Sequence, residues 1–175
     1  MNRIAVLILS ASLGVVYAQP PVSLLVTQGK NSWNGIKGNL LKAAEKMPEA
    51  DYGFKPTPEL QNFGERVAHM ANMIGNCSRV RGGEPKQNQA TGKTSKADLV
   101  AALKAGLDEC DAAWATINDT TAMETVTGGR GGPQTKIGTL LGNTIHANEV
   151  YGTMTVYMRL KGQVPPSSEG ARGGK

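Results

Sequence analysis

Residues 57–81, TPELQNFGERVAHMANMIGNCSRVR, decide the fold. Phe63, Val67, Met70, Ile74 and Cys77 recur at steps of four, three, four and three, which is one face of an α-helix. Thr57 suits an N-cap and Pro58 suits the first helical position, so the spacing predicts a helix from there to about Arg81. Three further segments carry the same period. Upstream, Trp33, Ile36, Leu40, Leu41 and Ala44 place a helix within 22–47, ended by Met47-Pro48 and weakened by Gly29, Gly35 and Gly38. Downstream, Ser95 with Asp98 three residues on opens a third helix, striped by Leu99, Leu103, Gly106, Cys110, Trp114 and Ile117. A fourth runs from about Thr135 to Lys161, where Gly162 caps it and Pro165-Pro166 forbid continuation. The polar stretches 82–94 and 118–134 connect them. The expected fold class is all-α, a four-helix bundle.

The ends of the chain read differently. Residues 1–18, MNRIAVLILSASLGVVYA, have the layout of a secretory signal peptide: Arg3, an apolar run from Ile4 to Val16, then small residues. The run is short for a membrane span; an uncleaved anchor is the competing reading. Cleavage after Ala18 leaves 157 residues, and loss of Arg3 takes the net charge from +5 to +4. That places the mature chain in the periplasm or outside the cell, with no stable membrane anchor. The expected division is 1–18 signal peptide, 19–163 helical domain and 164–175 flexible tail.

Export changes the meaning of Cys77 and Cys110, the only two cysteines. In an oxidising compartment they read as a disulfide, against the alternative of two buried thiols. A bond between them constrains topology. At 1.5 Å per residue, Cys77 lies about 28 Å along the second helix and Cys110 about 22 Å along the third. Parallel helices bring the pair within bonding range; an antiparallel hairpin does not. The connection 82–94 must then return along the bundle, and its thirteen residues reach about 43 Å against a helix of about 36 Å.

Composition excludes little, and most catalytic motifs are missing. At 175 residues, 39% hydrophobic and 19% charged, the chain suits one globular domain. It has no HExxH, GxSxG or GxGxxG. Gly92-Lys93-Thr94 resembles a phosphate-loop ending, but Gln87 stands where that loop needs glycine. The GGRGG at 128–132 has no aromatic residues interleaved with bases, so no nucleic-acid partner is expected. Two histidines remain. His69 and His146 lie near the middles of the second and fourth helices, at similar depth whichever way those helices run. Glu149, one turn after His146, offers a carboxylate on nearly the same face. The plainer reading is two hydrogen-bonded histidines in the bundle interior.

NLLKAAEKMPEADYGFKPTPELQNFGERVAHM, together with TKIGTLLGNTIHANEVYGTMTVYMRLKGQVPPSS, resembles the DinB-like family (DinB/YfiT-like metalloenzymes), and in particular its exported bacterial branch. The resemblance covers nearly all of the mature chain. It implies a four-helix bundle with a long crossover between the second and third helices, and a cysteine pair that recurs in that branch. It also implies a divalent metal, zinc or nickel, held by three histidines: one in the second helix and two spaced four apart in the fourth. His69 matches the first and His146 the second. The third falls at position 150, where this chain has Val150, so a family pattern like HxxEHYG reads HANEVYG. Known members are thiol-dependent transferases, hydrolases or isomerases acting on small molecules. Two readings follow for this chain. One is an exported DinB-like domain with a degenerate metal site, binding a small ligand or a partner, with Tyr151 and Arg159 serving a partner or homodimer surface. The other is a metal-dependent transferase or hydrolase using His69, His146 and Glu149.

Overall fold

The computed structural model describes residues 24–86, 89–127 and 132–170. The proposed signal peptide at 1–18 lies outside them, as do most of the GGRGG segment and the last five residues. Four α-helices make up the molecule: α1 (Leu24–Lys46), α2 (Phe63–Ile74), α3 (Lys96–Ala115) and α4 (Lys136–Leu160). Short antiparallel strands β1 (Thr125–Val126) and β2 (Gln134–Thr135) close the loop before α4. No helix among the described residues is long and apolar enough to cross a membrane.

Helix directions follow from which residues meet. Gly64 faces Leu99, Gly106 faces Ala71 and Ile74, and Cys110 meets Cys77. The numbers rise together, so α2 and α3 are parallel. Tyr157 reaches the Gln61 carbonyl while Asn143 reaches Cys77, so α4 is antiparallel to α2. Lys30 reaches Ile117 while Lys96 reaches Glu45, so α1 is antiparallel to α3. The bundle is therefore two parallel pairs, α1 with α4 and α2 with α3, pointing opposite ways. The link between α2 and α3 runs back along α2: the Lys86 amide donates to the Gly75 carbonyl, and the Ala90 amide to Asn72 Oδ1. The crossover passes so close that a Cβ on Gly75 would overlap the Lys86 carbonyl. Cys77 and Cys110 lie at disulfide distance, with Cα atoms 4.9 Å apart.

Three boundaries differ from the sequence reading. Helix α2 begins at Phe63, not beside Pro58, because Asn62 and Glu65 form a complete capping box with bonds of 2.8 and 2.6 Å. The amides of Phe63 and Gly64 are meanwhile taken by the Phe54 and Tyr52 carbonyls, which holds residues 57–62 in turns. At its other end α2 stops at Ile74, and residues 75–81 tighten into a 3₁₀ helix closed by Gly82 at φ 77°. Residues 164–170, within the segment expected to be a loose tail, are packed. Pro165 and Pro166 are buried, Tyr151 donates to Ser167 Oγ at 2.9 Å, and Lys46 pairs with Glu169. Helix α3 starts at its expected cap, Ser95, and α4 starts where expected, with Thr135 as its N-cap.

The core is apolar and shared by all four helices. Trp33, Leu40, Phe63, Leu103, Leu107, Leu140, Met154 and Tyr157 are almost completely enclosed. Gly29 explains how α1 comes close despite its glycines, since a Cβ there would strike the Trp114 ring. The Trp33 indole N–H donates to Asp111 at 2.7 Å.

Candidate functional site

The buried face of α2 is Phe63, Val67, Met70, Ala71 and Ile74, and that of α4 includes Thr144, Ala147, Val150 and Met154. His69 and His146 flank these faces, so both rings sit half-buried at the rim of the α2–α4 seam. They face each other as the sequence spacing suggested. The Nε2 atoms are 2.9 Å apart and the ring centroids 5.1 Å, with the planes at 75°. On the far side of His146, Nδ1 lies 3.3 Å from Glu149 Oε2.

This chain of groups fixes the protons for neutral rings. An ionised carboxylate only accepts, so His146 Nδ1–H donates to Glu149. That leaves His146 Nε2 with its lone pair, which accepts the Nε2–H of His69. Burial holds the His69 pKa below the usual histidine value, and His146 and the Arg66 guanidinium add to this effect, opposed by Glu149. Arg66 is the residue that sequence reading missed. It sits one turn before His69, and its Nε is buried with no hydrogen-bond partner. The spacing of three was visible, but nothing marked the position as enclosed.

The donor set falls short of the metal site that the resemblance implies. Only two nitrogen lone pairs can converge between the rings. Glu149 lies behind His146, on Nδ1, and its side chain is 75% exposed. Val150 points into the core at 3% exposure and offers no donor. Among the described residues, no group of three or more histidine, cysteine or acidic side chains is gathered as a metal site would require. In this arrangement the residues do not fit a three-donor divalent centre. Of the two residues considered for a partner surface, Tyr151 is turned inward to Ser167 and buried, whereas Arg159 is exposed.

A cleft of about 630 Å³ lies elsewhere, lined by Arg79, Arg81, Glu84, Glu124 and Lys136 among others. Its bases are already engaged: Arg79 with the Thr127 carbonyl, Arg81 with Glu109, and Lys136 with Glu124. Neither histidine lines it.

No curated protein matches the chain significantly. Among solved structures, a conserved protein from Enterococcus faecalis is similar in fold, with a TM-score of 0.61 at 13% identity over 77% of this chain and 95% of that one. A sequence model described as the DinB superfamily matches residues 36–154, which include α2, α3 and both histidines. With the parallel α2–α3 pair and its crossover, that match makes this chain a member of the DinB superfamily.

Proposed function

We propose that this protein is an exported DinB-like domain that works as a small-ligand or interaction module, with a degenerate metal position, rather than as a metalloenzyme. One observation carries the reading: Val150 is packed in the core one turn beyond His146, where the family resemblance calls for a third imidazole. Two neutral nitrogen ligands bind a divalent ion far more weakly than three. Export is supported by the layout of residues 1–18, and by two buried cysteines at disulfide distance, a pairing suited to an oxidising compartment.

Metal analysis of protein purified without a histidine tag is the test. The expected result is zinc and nickel well below one ion per folded chain. Val150→His should then raise zinc affinity by about 100-fold or more, because it adds the missing donor. The alternative is a metal-dependent transferase or hydrolase using His69, His146 and Glu149. The exposure of Glu149, held by a single 3.3 Å contact, favours it. Near-stoichiometric metal in the natural chain, abolished by His146→Ala, would replace the module with that enzyme.

A further inference from the structure

Helix α4 is charge-poor on the side that faces solvent. Its 25 residues include only Lys136, Glu149 and Arg159 as formal charges. By contrast α1 carries Lys30, Lys37, Lys42, Glu45 and Lys46 in 23 residues, and α3 carries six charges in 20. At about 100° per residue, Gly142, Ile145, Glu149, Gly152, Val156 and Leu160 share one stripe of α4. Ile145 is 68% exposed, Val156 52% and Leu160 59%. A Cβ added to Gly142 or Gly152 would meet nothing within 4 Å, so the aliphatic side chains stand out beside open gaps.

The charges on this face are arranged to complement themselves. Glu149 and Arg159 lie ten residues apart, about 15 Å along the helix. Among the described residues Arg159 has no ion pair, and it reaches only the Thr155 carbonyl and Ser168 Oγ of its own chain. Glu149 has only His146. If two copies of α4 cross antiparallel about a two-fold axis near Gly152–Met154, each Glu149 meets Arg159 of the second copy. Ile145 then approaches the second copy's Leu160, and Gly152 lets the backbones close in. Such a self-complementary patch is what a two-fold dimer requires.

We propose that this chain forms a reversible homodimer through the outer face of α4, where Ile145, Val156 and Leu160 flank Gly152 between oppositely charged Glu149 and Arg159. The proposal is independent of what the histidine pair does. A single helix face makes a small interface beside the roughly 800 Å² per partner of a standard one, so the association is a weak, reversible one. Sedimentation of the mature chain from about 1 to about 100 µM should show a shift from monomer to dimer. Ile145→Asp and Val156→Asp should each raise the dissociation constant by about 30-fold or more while leaving thermal unfolding unchanged. Arg159→Glu should weaken the dimer, and Glu149→Arg in the same chain should restore it. A chain that stays monomeric throughout, or a dimer indifferent to Ile145→Asp, overturns the proposal. A monomer that floats with phosphatidylglycerol vesicles also overturns it and gives the face to lipid.

Discussion

Helix α2 has two seams, and they are built from opposite materials. Against α3 it is dry: Cys77, Cys110, Leu103, Leu107 and Ile74 are essentially inaccessible, and Gly106 lets the Ala71 backbone approach. Against α4, the rim of the contact is polar and half-open, with two imidazoles, a carboxylate and Arg66 in place of aliphatic side chains. A short helix thus packs one side with aliphatic groups and sulfur and lines the rim of the other with polar groups. The first seam sets the second: with α2 fixed against α3, His69 has little freedom to move away from α4.

Breaking the dry seam should cost most. Joined cysteines separated by 33 residues should contribute about 3–4 kcal/mol. Reductant, or Cys77→Ala with Cys110→Ala, should lower denaturant stability by that amount; identical midpoints with and without reductant would show that the sulfurs are not bonded. Gly75→Ala comes next. Its methyl must displace the Lys86 carbonyl, and overpacking of this kind costs about 1–3 kcal/mol, readable by urea unfolding. If stability is unchanged, the crossover does not lie where it is described.

The smallest effect belongs to the polar seam and is read by pH. The His69 pKa is depressed in the folded state, so the unfolded chain takes up a proton first. This contribution to stability is complete above the unfolded value of about 6.5 and is lost as pH falls through the folded pKa. His69→Gln should flatten that part of the stability profile below about pH 6.5. An unchanged profile would mean the ring is as solvated as in the unfolded chain.

The sequence exposed these two seams unequally. The start of α3 is legible in the sequence because Ser95 is a local cap whose partner lies three residues away, and Thr135, near the expected start of α4, caps that helix in the same way. The parallel pairing was legible because two cysteines impose a distance. The start of α2 was misread although Asn62-x-x-Glu65 was in view: Thr57-Pro58 is an equally good local signal, and the carbonyls of Phe54 and Tyr52 decide between them through the folded chain. The docking of residues 164–170 depends on Tyr151, Lys46 and Arg159, which no local pattern reveals. At the histidines, helical period gave the meeting of the rings but not which nitrogen faces which group. That depends on side-chain torsions, and it is what sends Glu149 to the outer side of His146.

The return path of residues 82–94 along α2 has a kinetic corollary. Chains that fold as sequential hairpins can dock each helix on the one just made. Here the segment after α2 must travel the bundle's length before α3 can begin to zip alongside, and the last helix must then insert between partners more than sixty positions earlier. Contacts this distant in sequence slow a helical protein towards the rates of mixed folds. In a chain made from its amino end, His69 waits unmatched until the first half of α4, up to His146, has followed.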